Sequence, residues 1–265
     1  METPRTLTND ITILPSFLPL PGFGVLPINA FLLKSHEPVL VDTGTRADSP
    51  EFMRALESAI DPEDIRWLYL THPDADHIGS LKTVLDRAPN ARLVTTYLGY
   101  GALSLTADVP LDRVYLLNPG ESLDVGDRTL TVLRPPTFDN PATTAFWESK
   151  TGTLFSSDCF GALLQAPAED ARDVAEDELR QGQVMWATVD SPWLHNIDRS
   201  AFAAELHLIR QMAPDLVLSA HLPPARSMMP RILQTLSSVP ESTPFVGPNQ
   251  AALEAMLAQM VGAPA

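Results

Sequence analysis

Leu68-Tyr69-Leu70-Thr71-His72-Pro73-Asp74-Ala75-Asp76-His77-Ile78-Gly79-Ser80 is the stretch on which the fold turns. Two histidines and two aspartates fall within six residues, directly after an apolar run. Ile65 to Leu70 reads as a buried strand, rich in β-branched and aromatic residues. Pro73 stops that strand and keeps His72 out of a helix. Ile78, Leu81, Val84 and Leu85 then recur at helical spacing, so a helix is expected to begin near Asp76. The four polar side chains therefore sit on a turn between a strand end and a helix start. His72 and Asp74, two apart on extended chain, point the same way. Asp76 and His77 fall at the helix mouth, where free N–H groups favour carboxylates.

Imidazole and carboxylate at this density suit a metal ion. Neutral imidazole nitrogen serves Zn, Fe and Mn, and each added carboxylate shifts the balance toward iron or manganese. A helix cap with a polar turn would account for one aspartate and leave both histidines unexplained.

The rest of the chain bounds the function. It has 265 residues, 45% hydrophobic and 19% charged, ordinary for a soluble globular protein with a sizeable core. A formal net charge of −15 argues against nucleic acid or an anionic membrane as partner, because phosphate binding needs clustered Lys and Arg. Cys159 is the single cysteine, which excludes an intrachain disulfide and an all-thiolate zinc site. Met-Glu-Thr-Pro-Arg at the start lacks a basic patch followed by an apolar core, and no stretch approaches membrane-spanning length. A cytoplasmic location is the resulting expectation.

In chain order, Ile11 to Leu18, Leu26 to Leu33 and Pro38 to Val41 read as strands of a meander, the first two joined at Pro21-Gly22-Phe23-Gly24. A helix is expected over Ser49 to Ile60, capped by Ser49 with Pro50 at its first position. Ala91 to Thr96 reads as a strand and Tyr97 to Leu105 as a short helix. Val114 to Leu117, Glu121 to Val125 and Thr129 to Leu133 read as strands, and Thr144 to Glu148 with Thr153 to Ser156 as a hairpin. Pro167 to Ala187 is acidic and helical, and Arg199 to Met212 is a second helix with Phe202, Leu206 and Ile209 on one face. Leu216 to Leu218 is a last strand, followed by helices near Met228 to Leu236 and Asn249 to Val261. Strands and then helices occur twice, which predicts an α/β fold of two packed sheets with helices outside.

Three more strands end in ligand-type groups: Val39 to Val41 in Asp42, Leu154 to Ser157 in Asp158, and Val217 to Ala220 in His221. Elsewhere the expectations are plain. His195 reads as a solvated loop residue near a helix start, His207 and His36 as structural or surface residues, and Cys159 as a small buried residue. Trp147, Trp186, Trp193 and Phe138 read as core before pocket wall.

Asp42-Thr43-Gly44, the Thr71 to Gly79 turn, Ser157-Asp158 and Ala220-His221 together resemble the metallo-β-lactamase superfamily. Their order and rough spacing match over Ile11 to about Pro224. The resemblance implies a single αββα domain over residues 1–265, with a helical segment at about 167–212 and two C-terminal helices, and a binuclear metal site at one edge. The family's usual turn is H-x-H-x-D-H. Asp74 replaces the second histidine, and an acid there resembles the flavodiiron proteins and their stand-alone oxygen-binding di-iron relatives. By that resemblance His72 and Asp74 would bind one metal, Asp76, His77 and His221 the other, and Asp158 would bridge both. Asp42 would anchor the ligand turn. The loop Arg134 to Pro141 departs from the family in lacking a histidine. Asp139 is the nearest replacement; its alternative is an Asx turn before Asn140-Pro141. With Asp139, the first metal would have one imidazole and three carboxylates, which favours Fe, with Mn or Zn as the other options.

Two functions follow from the resemblance, and the fold alone does not choose between them. One is a non-haem di-iron protein that binds or reduces a small diatomic molecule such as oxygen. No dinucleotide fingerprint is found, and the expectation from the length given is that no flavin domain is fused, so this function would call for a separate electron donor or a sensing role. The other is a metal-dependent hydrolase of a small-molecule substrate, with Asp76 orienting a metal-activated water. A degenerate member that only binds ligand is a third. Asp74 and the missing histidine favour the first.

Overall fold

The computed structural model describes residues 1–262. The first sheet opens with β1 (Arg5–Thr6), β2 (Ile11–Leu20), β3 (Gly24–Leu33) and β4 (Val39–Val41), each antiparallel to the one before. It continues through α1 (Ser49–Ala59), β5 (Trp67–Tyr69), α2 (Leu81–Arg87), β6 (Arg92–Thr95), α3 (Tyr97–Leu103) and β7 (Val114–Leu116). Strands β4 to β7 are parallel, and the intervening helices supply the crossovers that parallel pairing requires. The second sheet holds β8 (Ser122–Asp124), β9 (Thr129–Leu133), β10 (Ala145–Glu148) and β11 (Thr153–Phe155) in antiparallel order. The chain then leaves through α4 (Glu176–Asp190) and α5 (Arg199–Met212) and returns as β12 (Leu216–Leu218), parallel to β11. β13 (Ala225–Arg226), α6 (Met229–Ser238) and α7 (Gln250–Gly262) follow.

Strand alternation builds the layers. In β4, Val39 and Val41 face the opposite sheet while Leu40 faces the helices. Tyr69 and Leu68, Val94 and Leu93, and Phe155 and Leu154 divide in the same way. Leu68, Leu93, Leu40, Phe52, Leu56 and Val84 form the core under α1 and α2; Leu154, Val217, Leu206, Ile209, Ile232 and Leu233 form the core under α5 and α6. Between the sheets runs an aromatic chain. Tyr69 lies 4.7 Å from Phe146, Phe146 stacks on Phe155 at 4.4 Å, and Phe155 meets Phe31 edge-on at 5.6 Å. Burying each such ring contributes about 1.5–3 kcal/mol. The architecture is the expected αββα sandwich.

Several local expectations are corrected. The helix after the ligand turn starts at Leu81, not near Asp76. His77 N and Ile78 N both donate to the Asp74 carbonyl, while Gly79 N and Ser80 N donate to the Gly44 and Thr43 carbonyls. With those donors engaged by the turn and the neighbouring loop, no helix can begin earlier. α1 is not capped by Ser49, which lies inside it; Asp48 is its N-cap residue and spends its carboxylate on the Ser16 hydroxyl instead. The segment from Pro167 is not helical until Glu176, because Asp170 caps a short turn at Ala171–Asp173 and Ala171 N donates to the Pro224 carbonyl. Strands β1 and β13 are too short to carry a pattern and were not anticipated. Among the described residues, no helix is long and apolar enough to cross a membrane.

Candidate metal centre

The parallel pairs β4–β5 and β11–β12 place four loops at one edge of the sandwich. These loops carry Asp42, the His72 to His77 turn, Asp158 and His221. Asp42 and Ser157 both adopt left-handed backbone, with φ of 57° and 55°, so β4 and β11 each break sharply where their polar group is needed. Gly79 allows the ligand turn to lie directly on the Asp42 loop: a Cβ there would collide with the backbone of Thr45 and Arg46.

Hydrogen bonding decides which ring nitrogens face the centre. Thr71 donates to Asp42 through both its backbone N, at 2.9 Å, and its Oγ1, at 2.8 Å. With that hydroxyl proton committed, Thr71 Oγ1 can only accept from His72 Nδ1, 3.2 Å away. His77 Nδ1 donates to Asp42 Oδ2 at 2.9 Å, and His221 Nδ1 to the Pro27 carbonyl at 2.8 Å. All three imidazoles are thereby left with a bare Nε2 when neutral. All three converge on Asp158. His77 Nε2 and His221 Nε2 lie 3.1 and 3.2 Å from its Oδ1, and His72 Nε2 lies 3.2 Å from its Oδ2. His72 Nε2, His77 Nε2 and Asp158 Oδ1 are buried without a hydrogen-bond partner. Lone pairs aimed at a buried carboxylate repel unless a cation or protons lie between them.

The remaining acids sort onto two sides. Asp76 lies 3.7 Å from His77 Nε2 and 3.4 Å from His221 Nε2. Asp74 and Asp139 lie 3.8 and 3.9 Å from His72 Nε2. Asp158 offers one oxygen to each side. Asn140 holds Asp74 from behind, donating Nδ2 to its Oδ1 at 2.8 Å. The loop without a histidine thus brings in Asp139 and braces Asp74 with the next residue. Asp42 faces away from the centre and anchors Thr71 and His77. Every residue singled out in the sequence as a ligand candidate lies here, and the donor set fits two cations sharing Asp158.

The electrostatics agree with that fit. Burial opposes charge on the imidazoles, but the surrounding carboxylates, Asp158 with Asp42 or Asp76, together outweigh it and raise the pKa of His72, His77 and His221. Burial would likewise raise Asp158, yet the three imidazoles hold it well below the usual carboxylate range. In a metal-free chain, protons would do the work of the cations, and metal binding would release them. Burial, joined by Asp158 and Asp74 and opposed by His72, pushes Asp139 up to about 6.

Helix α4 walls the centre with a tryptophan that the sequence favoured as core and an acid that sequence reasoning missed. The Trp186 indole donates to the Asp158 carbonyl at 3.0 Å, and its ring lies 4.5 Å from that of His221. Asp190, one turn later, is buried beside Asp139 and Asp158. The Trp193 indole donates to the Phe138 carbonyl at 2.9 Å, with the two rings 5.3 Å apart. Trp186, Trp193 and Phe138 are therefore site neighbours, not core residues alone. The predicted helix stopped at Ala187; its extension to Asp190 with i, i+4 spacing is the signal that could have found the acid. His195 is partly buried with Nε2 unpartnered, not a solvated loop residue. Cys159 is buried and its thiol is pushed up to about 12 by burial, as suits a small packed residue.

The chain is similar in sequence and fold to known proteins. The chain is 31% identical over 134 residues to a putative diflavin flavoprotein A 1 of Nostoc, covering 50% of this chain and 23% of that protein. It is 28% identical over 138 residues to the rubredoxin-oxygen oxidoreductase of Megalodesulfovibrio gigas, covering 52% and 34%. The chain thus spans less than half the length of these curated relatives. The solved structure of rubredoxin oxygen:oxidoreductase from Desulfovibrio gigas superposes with a TM-score of 0.79 at 20% identity, over 92% of this chain and 63% of that one, which establishes the metallo-β-lactamase fold. The family model described as ODP family beta lactamase matches residues 26–221, a span that includes every loop of the centre and most of both sheets, and the chain is a member of that family.

Proposed function

We propose that this chain is a non-haem di-iron protein that takes dioxygen or a comparable small diatomic molecule, with electrons from a separate donor. The observation that carries the proposal is the asymmetric shell around Asp158: two imidazoles and Asp76 on one side, one imidazole with Asp74 and Asp139 on the other. Carboxylate-rich ligation favours iron or manganese over zinc. The name of the Megalodesulfovibrio gigas relative, rubredoxin-oxygen oxidoreductase, supports both the substrate and the separate donor.

His72, Asp74 and Asp139 would hold the first ion, Asp76, His77 and His221 the second, and Asp158 both. When bound, two such ions would supply one-electron chemistry between ferrous and ferric states. The chain's own residues do the rest. Asp42 keeps His77 in the tautomer that presents Nε2, and the Pro27 carbonyl does the same for His221. Asn140 orients Asp74, and the Trp186 ring packs against that of the buried His221.

Protein purified without added metal should contain about two iron ions per chain, in line with a two-metal centre. Reduced chemically under argon, it should consume oxygen when air is admitted, followed at an oxygen electrode. Two tightly held zinc ions with zinc-dependent ester cleavage would instead establish a hydrolase in which Asp76 orients the water. Failure to retain any metal would leave only a ligand-binding role.

A further inference from the structure

Helix α4 delivers one carboxylate that the family pattern does not provide for. Asp190 closes the helix, and Trp186 precedes it by one turn on the same face. Trp186 is tied to the Asp158 carbonyl, and Gln183 Nε2 donates to the Phe160 carbonyl at 3.1 Å, so this face of α4 is pinned to the loop after β11. Just beyond Asp190, Trp193 is bonded and stacked to Phe138, the residue before Asp139. Asp190 and Asp139 are thus positioned by one clamp that joins two distant parts of the chain.

Oxygen atoms of Asp139, Asp158 and Asp190 lie within 4.8 Å of one another. Asp190 is 7% exposed and Asp158 3%. Asp190 Oδ2 accepts from Ser191 Oγ at 2.7 Å, which leaves its other oxygen for the centre. The adjoining group that calls for a ligand is His72. Its Nε2 is buried and unpartnered, 3.2 Å from Asp158 and 3.9 Å from Asp139. Asp158 and Asp190 are buried while Asp139 opens partly to solvent, and a bare, buried imidazole nitrogen facing Asp158 and Asp139 is satisfied by a cation among these acids.

We propose that Asp190 is a further ligand of the first metal, filling together with Asp139 the position that the loop of residues 134–141 leaves without an imidazole. This rests on the binuclear reading above. It makes the first site one imidazole and four carboxylates, His72 with Asp74, Asp139, Asp158 and Asp190, a shell that favours a hard, oxidised ion.

The test is a titration of metal-free protein with Mn(II), free ion being read from its electron paramagnetic resonance signal. Wild type should bind two ions. Asp190→Asn, isosteric and neutral, should weaken one of them by at least about tenfold and leave the other unchanged. Asp139→Asn combined with Asp190→Asn should abolish the weakened one. Identical two-ion isotherms for wild type and Asp190→Asn would overturn the assignment while leaving the binuclear centre standing. A wild type that binds fewer than two ions would overturn both. Should the variant fail to fold, a crystal structure of the Mn(II)-loaded wild type decides. An Asp190 oxygen within about 2.5 Å of an ion supports the proposal, and a remote one refutes it.

Discussion

Asp42 accepts from Thr71 N, Thr71 Oγ1 and His77 Nδ1, and in doing so orients two imidazoles that it does not share a face with. Removing it frees the Thr71 hydroxyl and lets His77 take the other tautomer. Asp42→Ala should therefore lower metal affinity at the His77 side by about 10–100-fold, the usual effect of losing such a support. A Mn(II) titration of the variant beside wild type would show it, and unchanged affinity would rule the role out. Gly79 poses a steric case. A methyl group there meets the backbone of Thr45 and Arg46, which cannot swing aside as a side chain would. Gly79→Ala should destabilise the metal-free protein by about 1–3 kcal/mol, measured by urea unfolding.

At the scale of elements, the turn before β9 is pinned by charge. The buried Arg128 guanidinium lies 2.7 Å from both Asp10 and Asp127, and Lys150 lies 3.0 and 2.8 Å from the same two acids. The β2 approach, the β8–β9 turn and the β10–β11 turn are thereby joined. Hydrogen bonds from Arg128 and Lys150 lower the Asp10 pKa, and the Arg128 bond outweighs burial to lower that of Asp127. Both acids thus have folded values below their unfolded value of about 3.9. Their contribution is full above that value and is lost as pH falls through the lowered folded values. Asp127→Asn should be less stable than wild type at pH 7, and the gap should close as the pH is taken below about 4. Urea midpoints across that range check it; a gap that stays constant with pH would show that the pin is not electrostatic.

At the scale of the molecule, the centre is a seam between sheets. His72, Asp74, Asp76 and His77 come from the loop after β5 in one sheet, and Asp158 and His221 from loops after β11 and β12 in the other. Any ion held there cross-links the two layers. Chelation should lower the unfolding temperature, and a metal at 100 times its Kd should restore about 2.7 kcal/mol. Phe155 acts at the same seam through packing alone, against Phe31 and Phe146. Phe155→Ala should cost about 3–5 kcal/mol, with metal and without it, whereas Asp158→Ala should remove the stabilisation that metal brings. Thermal unfolding of both variants with and without chelator separates the two contributions.

Local patterning was enough to read every strand except the two-residue β1 and β13, because runs such as Val39-Leu40-Val41 and Leu216-Val217-Leu218 carry their pairing and burial within a few residues. Adjacency likewise made His72, Asp74, Asp76 and His77 visible as one cluster, since a six-residue turn has little freedom to separate them. Asp158 and His221 were legible as strand ends, and the parallel pairing of β11 with β12 is what sets them side by side. Asp190 was not legible. It lies just past the segment of residues 167–187 read as an acidic helix, and its place beside Asp139 depends on how α4 lies across the second sheet and on the Trp193–Phe138 contact. The start of α2 was hidden for a similar reason, because the donors of Gly79 and Ser80 go to carbonyls of the Asp42 loop, more than thirty residues away. Short-range periodicity and chain connectivity determined the layers and the ligand turn. The completion of the centre came from contacts between segments far apart in sequence, which only the packed structure brings within bonding distance.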